Sequence, residues 1–408
     1  MKILHTADWH LGKRLERFDR TEEQRAVLAE ICDLAEREAV DVVLIAGDLY
    51  DTYNPPIGAT DNFYRHLKRL SANGQRAVVA IAGNHDSPHR IESPDPLARE
   101  CGIFFAGYPH SHLARIRLDT GLAITQSAPG FIELELPRTP APLRILLTPY
   151  ANEARLRKAL DERNSEHDLR QVLRAHWAEL AEKYCDERGV NVLLAHLFMI
   201  GRGQEAPEEP EDEKPINIGG ASAVFTENVP AAVQYVALGH LHRHQNMPGG
   251  PCPCVYSSSI LGYSFAEAGQ DKYAVIVEAE PGQTVTLRKE KLRAGRRLRR
   301  VEFESVDEAV AWLEDNPEPY VELTILTDYY LKGADRKRLT DAHPRIIGPI
   351  PKFRNPELVL PGITQAADPT RGREELFQDF FRFKHDGVAP GEEIMALFRE
   401  ILAKEDNP

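Results

Sequence analysis

The sequence predicts an α/β domain built on buried, parallel-type strands, followed by a smaller α+β unit and a helical tail. Three observations carry this reading. Apolar runs, VVLIA (42–46), VVAIA (78–82), NVLLA (191–195) and YVAL (235–238), recur along the first part of the chain. Such continuous runs, unlike alternating ones, fit strands covered on both faces. Each run, like Ile3-Leu4 near the start, leads into a cluster of Asp, Asn, His and Gly. Open α/β sheets collect their functional groups beyond the carboxyl ends of their strands.

In chain order the clusters are Asp8-Trp9-His10, Gly47-Asp48-Leu49-Tyr50-Asp51, Gly83-Asn84-His85-Asp86, His196 and Gly239-His240-Leu241-His242. Up to about residue 150 strand patterns alternate with helical ones. Residues 152–188 are rich in Ala, Leu, Glu, Arg and Lys, lack Pro and Gly, and read as helix. Strands return near 191, 235 and 273–278, so the first domain is expected over 1–280. A capping unit is expected over 281–360, with VDEAVAWLED (306–315) as helix and YVELTIL (320–326) as strand. A linker containing Pro and Gly (355–372) leads to the tail, 373–408.

In the tail, Leu376, Phe377, Phe380 and Phe381 make one helical apolar stripe. Ile394, Leu397, Phe398, Ile401 and Leu402 make a second, with Pro390 near the helix start. Two helices this short cannot bury both stripes alone. They either pack back on the chain or dock on a partner.

Hydrophobic content of 42% and charged content of 28% are those of an ordinary globular protein. No stretch reaches the roughly 18 apolar residues of a membrane span. The first strand begins without a charged-then-apolar leader, and five scattered cysteines make no disulfide framework, so a cytoplasmic location is expected. Cys252 and Cys254 form a C-x-C without a second pair to complete a zinc site, and read as two loop thiols.

The net charge of −13 argues at first against a nucleic-acid partner, but charge is unevenly placed. Residues 281–300 hold eight basic side chains against Glu290 alone, a local +7 that leaves −20 for the remainder. Arg293, Arg296, Arg297, Arg299 and Arg300 are the candidate phosphate contacts, with a solvated linker face as the alternative. At 205–214 six acids face one Lys, which reads as a solvated loop without an assigned role.

Asp8 and His10 are two residues apart and in an extended segment share a direction, as do His240 and His242. With Asp48, Asn84 and His196 they supply carboxylate, amide and imidazole donors, a mixed O/N set that suits six-coordinate manganese or ferrous iron better than structural zinc. Seven candidate ligands point to two ions, with Asp48 as a bridge between ions about 3.5–4 Å apart. Such a pair activates water and steadies both oxygens of a phosphate-ester displacement. His85 stands apart from the ligands as a spare imidazole that can protonate a leaving oxygen. Asp86 is the candidate to orient it, and Asp51 to orient a ligand from behind.

The motif order D-x-H, G-D-x-x-D, G-N-H-D, H and G-H-x-H resembles the calcineurin-like metallophosphoesterase superfamily. Within it, MKILHTADWHLG (1–12), AGDLYD (46–51), AGNHDS (82–87), YVALGHLH (235–242) and EELFQDFFRF (374–383) are similar to the SbcD family of bacterial nuclease subunits. The resemblance implies a four-layer α/β/β/α nuclease domain, a DNA-contacting capping domain and a C-terminal helical pair that docks on an SbcC-type ATPase. It also implies two Mn²⁺, with Mg²⁺ or Fe²⁺ as substitutes. Asp8, His10, Asp48 and His242 would hold one ion, Asp48, Asn84, His196 and His240 the other, with His85 as the catalytic histidine.

The implied activity is 3′→5′ double-strand exonuclease and single-strand endonuclease action in DNA end and hairpin processing, replication, repair and recombination, associated with the nucleoid. ATP would be handled by the partner, because the chain has no G-x-x-x-x-G-K-[ST] phosphate loop. A homodimer, giving a heterotetramer with the ATPase, would meet through the helix after Pro55-Pro56 that carries Phe63 and Tyr64. One departure is Tyr256-Ser257-Ser258-Ser259, where the family has Tyr-x-Gly-Ser. If that glycine needs positive φ, Ser258 is strained. A phosphatase or nucleotide phosphodiesterase, and a DNA tether with an inactive site, are the competing functions.

Overall fold

The apolar runs become the strands of two sheets. In chain order the first elements are β1 (Lys2–Thr6), α1 (Thr21–Arg37), β2 (Val42–Ala46), α2 (Ile57–Leu70), β3 (Ala77–Ile81), two short helices α3 (Pro88–Glu92) and α4 (Asp95–Ala98), and β4 (Ile103–Ala106). Strands β5 (Ile116–Arg117), β6 (Ala123–Ala128), β7 (Phe131–Leu136) and β8 (Thr139–Thr148) follow, then α5 (Leu169–Tyr184) and β9 (Val190–His196). After β10 (Met199–Ile200) and β11 (Val224–Phe225) come β12 (Tyr235–Gly239), β13 (Gln245–Met247), β14 (Cys254–Tyr256), β15 (Lys272–Glu278) and β16 (Thr286–Leu292). This computed structural model describes residues 1–151, 169–204, 223–328, 331–354, 373–384 and 389–405. Of the segment read as helix, 152–168 lies outside the described residues, as do the acidic stretch 205–214 and the linker 355–372.

One sheet has the order β16-β15-β1-β2-β3-β4 and the other β13-β14-β12-β9-β8-β7-β6-β5. Strands β1 to β4 are parallel, and so are β8, β9, β12 and β14. The two-residue side-chain period places Val42 and Leu44 between the sheets, with Val79, Leu134, Ile145, Val192 and Ala237. Val43 and Ile45 face the other way, onto Val27, Ile31, Phe63 and Leu67 of α1 and α2. Leu193 and Val236 likewise face outward, onto Leu173 and Trp177 of α5. Each central strand therefore has two apolar faces, and the result is the expected helix/sheet/sheet/helix sandwich.

The basic stretch is not the start of a separate unit. Residues 286–292 are β16, paired antiparallel with β15 as the edge of the first sheet. The chain divides into Met1–Arg300 with Glu318–Val321, and Val301–Pro317 with Glu322–Pro408, so the boundary expected near 280 moves to 300. The second unit holds most of a three-stranded sheet of β17 (Leu298–Phe303), β18 (Tyr320–Thr327) and β19 (Ile346–Phe353), with α6 (Val306–Asp315) and α7 (Gly333–Ala342). Ser305 caps α6 by accepting from Glu308 N at 3.2 Å.

The tail forms α8 (Arg373–Lys384) and α9 (Glu392–Glu405). The two helices meet through stacked Phe377 and Phe398 rings, 4.0 Å between centroids, and a Glu374–Arg399 ion pair. Ile394 and Leu397 nevertheless remain 40% and 58% exposed, so pairing does not bury the second stripe. The side chains of Phe380 and Ile401 lie outside the described residues. No helix among the described residues is long and apolar enough to cross a membrane.

Candidate metal centre

The parallel strands of both sheets end at one place. The loops after β1 and β2 run side by side, joined by Asp8 N to Gly47 O (3.1 Å), His10 N to Asp48 O (2.9 Å) and Leu11 N to Leu49 O (3.1 Å). The second sheet is tied to them where His196 Nδ1 donates to Ala46 O at 2.8 Å and His240 N donates to Asp8 Oδ1 at 2.8 Å. Asp8, His10, Asp48 and His240 all have positive φ (51°, 43°, 44° and 107°). Strained backbone of this kind persists only where the surroundings impose it, and it gathers at functional sites. Gly83 and Gly239 are required by close approach. A Cβ on the first would overlap the Asp48 carboxylate, and one on the second the Ala46 carbonyl.

All seven predicted ligands come together. Asp8, His10, Asp48, His196 and His240 are fully buried, His242 is nearly so, and Asn84 is half-buried. Donor atoms of Asp8, His10 and Asp48 lie within 4.8 Å of one another, as do those of Asp48, His196 and His240. Asp48 is common to both groups. His242 joins the first, its Nε2 3.0 Å from His10 Nε2, and Asn84 the second, its Oδ1 2.8 Å from His196 Nε2. Asp8 Oδ2 is buried and receives no hydrogen bond among the described residues. Buried carboxylate oxygen facing imidazole nitrogens is what a divalent cation satisfies, so the residues fit a two-ion centre.

The electrostatics agree. Burial pushes the Asp8 carboxyl above its usual range against the pull of His196 and His242, with Asp48 adding repulsion. Burial works the same way on Asp48, but the charges of His196, His10 and His85 outweigh it and hold that carboxyl low. His196 is raised to about 9, because Asp48 and Asp8 more than offset its own burial. Two buried carboxylates set among imidazoles are oxygen and nitrogen donors that a divalent cation can share.

His85 lies against this cluster without joining either group, its ring edge-on to His10 at 5.0 Å between centroids. A further group of donor atoms, His10, Asp51 and His85, also lies within 4.8 Å. The expected support by Asp86 is corrected. His85 Nδ1 donates to the Asp51 carbonyl at 2.8 Å, and its backbone N–H to Asp48 Oδ1 at 2.9 Å. Asp86 instead accepts from Leu49 N, Tyr50 N and Gly83 N, at 3.0, 3.0 and 2.8 Å, clamping two ligand loops together. The Asp51 carboxylate stands 3.9 Å from His10 Nδ1 and 3.7 Å from Lys13 Nζ.

Reading the sequence missed Glu267 and Lys272, which stand behind His242. The one signal was the S-x-x-E pattern of Ser264 and Glu267, a capping box that the structure shows closed. Nothing in that pattern tied it to a ligand some 25 residues earlier in the chain.

Other expectations change as well. Ser258 has a φ of 109°, the conformation suited to glycine, and its hydroxyl accepts from Tyr273 N at 2.9 Å. Ser258→Ala, which keeps the strain and loses that bond, should lower stability by about 1 kcal/mol. Ser258→Gly should be close to neutral, because relief of strain offsets the lost bond. The midpoints of chemical denaturation measure both. Phe63 is fully buried, edge-on to Trp9, so it cannot carry a dimer contact. Exposed apolar surface near that helix lies instead at Ile57 (89%) and Tyr53 (48%). Cys254 is buried on β14, not a loop thiol.

The fold also spends part of the basic stretch. Arg288 pairs with Glu38 and Glu290, Lys291 with Asp271, and Arg296 stands 3.6 Å from Glu23. The turn itself is pinned by Glu30, which accepts from Arg293 N and Ala294 N. Arg293, Arg297 and Arg299 are exposed and make no ion pair among the described residues; Arg300 is also exposed.

Comparison with known proteins matches this arrangement. The calcineurin-like phosphoesterase family model matches residues 1–244. The chain is 34% identical over 418 residues to the SbcD component of nuclease SbcCD from Bacillus subtilis, covering 99% of this chain and 98% of that one. It is 33% identical over 287 residues to the SbcD component of nuclease SbcCD from Rhodobacter capsulatus, covering 69% and 67%. Among solved structures, a dimetal phosphatase from Danio rerio is similar at 13% identity and a TM-score of 0.39, over 72% of this chain and 99% of that one. With its motifs gathered at the strand ends of a two-sheet sandwich, the chain belongs to the calcineurin-like phosphoesterase family and, along nearly its whole length, to the SbcD group within it.

Proposed function

We propose that this chain is a manganese-dependent DNA nuclease subunit that hydrolyses phosphodiester bonds and works with an SbcC-type ATPase. The observation that carries the reading is the buried seven-residue cluster sharing Asp48, with His85 pinned beside it. An ion pair bound here would supply Lewis-acid polarisation of the phosphoryl group and activation of water. Asp8, His10, Asp48 and His242 would hold one, and Asp48, Asn84, His196 and His240 the other. Mg²⁺ or Fe²⁺ substitutes for Mn²⁺. His85, its Nδ1–H committed to the Asp51 carbonyl, gives its Nε2 proton as the imidazolium to the leaving oxygen and is left as the neutral imidazole. Asp86 keeps the Asp48 and Asn84 loops in register.

The assignment to DNA is supported by a relative that matches nearly the whole chain, and a second that matches about two thirds of it, both named nucleases. The activities are 3′→5′ exonuclease on double strands and endonuclease on single strands, in end and hairpin processing at the nucleoid. Arg293, Arg297 and Arg299, with Arg296 and Arg300 beside them, meet strand phosphates without reading sequence, so binding weakens steeply with salt. Two copies pair through the surface around Ile57 and Tyr53, giving a heterotetramer with the ATPase. The test is cleavage of hairpin and blunt duplex DNA with Mn²⁺ or Mg²⁺, with and without the ATPase. Turnover of a chromogenic phosphodiester with no cutting of DNA would favour a small-molecule phosphodiesterase instead.

The exposed Ile394 and Leu397, with Leu376, Phe377, Phe381 and Phe398 on the same helical pair, form the docking surface for the ATPase. Deleting 373–408 should abolish co-purification with an SbcC-type ATPase and leave Mn²⁺-dependent nicking within about twofold of the parent, since all seven candidate ligands precede residue 243. Loss of both together would assign these helices to the stability of their own unit.

A further inference from the structure

Glu267 makes more bonds than a capping box needs. Its Oε1 accepts from Tyr263 N at 3.0 Å and Ser264 N at 3.2 Å, which closes the turn. The same oxygen accepts from His242 Nδ1 at 3.2 Å. The other oxygen accepts from the Lys272 ammonium and from the Ser259 hydroxyl at 3.4 Å. Lys272 Nζ completes the circuit by donating to the His242 carbonyl at 2.9 Å. Glu267, Lys272 and Ser259 are 4%, 7% and 0% exposed, so this is a dry, nearly closed network behind one candidate ligand.

We infer that Glu267, held in place by Lys272, is a positioning residue that commits His242 Nδ1–H to itself and so presents His242 Nε2 to the ion. The inference rests on the two-ion reading of the centre and adds two residues to it. A neutral imidazole has one donor and one acceptor nitrogen, and which is which is set by the partner of the far nitrogen. With Nδ1–H given to a carboxylate, the lone pair sits on Nε2, the atom 3.0 Å from His10 Nε2. A carboxylate behind a ligating imidazole also raises its basicity and fixes the ring plane. Unlike this carboxylate, Asp51 stands 3.9 Å from His10 Nδ1, beyond hydrogen-bond reach.

A purely structural role predicts something different. Capping boxes close equally well with Gln in place of Glu. Glu267→Gln therefore keeps the turn and removes the charge, which makes it the discriminating substitution. The measurement is calorimetric titration of the metal-stripped full chain with Mn²⁺, beside the rise in melting temperature that Mn²⁺ produces. In Glu267→Gln one of the two Mn²⁺ should bind about 10- to 100-fold more weakly, with the other unchanged, and the Mn²⁺-induced rise in melting temperature should shrink. Lys272→Met keeps the imidazole–carboxylate bond but removes the anchor, so a smaller, several-fold loss at the same ion is expected. It carries the comparison if Glu267→Gln does not fold. Two Mn²⁺ bound with parental affinities in both variants, or a drop in metal-free melting temperature with an unchanged Mn²⁺-induced rise, would overturn the positioning role. A parent chain that itself fails to bind two Mn²⁺ would instead overturn the two-ion reading.

Discussion

Asp48→Asn should leave a folded chain that no longer holds a metal pair. Its carboxylate is the one donor common to both candidate groups, with Oδ2 3.3 Å from His196 Nε2 and 3.7 Å from His10 Nε2. Asparagine preserves the volume and can still accept from His85 N, but it cannot bridge two cations with a shared negative charge. The loss of Lewis-acid stabilisation should cost several kcal/mol, which corresponds to at least about a 10³-fold fall in DNA cleavage. Metal analysis after exhaustive dialysis should find at most one Mn²⁺ per chain. Two tightly held ions together with parental turnover would remove Asp48 from the bridging position. The substitution also removes a buried carboxylate that three imidazoles hold charged, so the metal-free variant should melt below the metal-free parent.

His85→Ala should show the complementary pattern, with both ions retained and chemistry impaired. The ring belongs to neither bridged group, and its Nδ1 is committed to a backbone carbonyl. Removing a positioned general acid typically costs about 10²- to 10⁴-fold, and the loss should fall on kcat rather than KM. It should also depend on the leaving group. A phosphodiester with a nitrophenolate leaving group scarcely needs protonation, so its hydrolysis should lose far less than cleavage of DNA. An equal loss on both substrates would argue that His85 stabilises the phosphoryl group instead. Parental DNA cleavage by the variant would exclude any catalytic role.

These two residues are legible in the sequence for different reasons. Asp48 and the other candidate ligands announce themselves because each follows an apolar run that reads as a buried strand, and strand ends are where α/β proteins place chemistry. His85 stands out because it adjoins Asn84 without sharing its direction. Its orienting group is not legible. Asp86 is the near acid in sequence, but its carboxylate serves three backbone N–H groups, and a main-chain carbonyl, which no side-chain pattern encodes, holds the imidazole. The burial of Phe63 is hidden for a similar reason. An aromatic on an amphipathic helix can face core or solvent, and only packing against Trp9 and Tyr50 decides it.

By itself the sequence determined the central parallel strands, the seven candidate ligand positions and the tail helices. All of these rest on local periodicity and residue chemistry, which act over a few residues. The tertiary structure alone decided which strand ends meet. His10 and His242 are 232 positions apart and touch only because the two sheets pack face to face. The same packing placed Glu267 behind His242 and brought Glu38, Asp271 and Glu23 against cations that the sequence left facing Glu290 alone. Contacts of such separation are set by how buried surfaces fit across layers, and no local pattern records that fit.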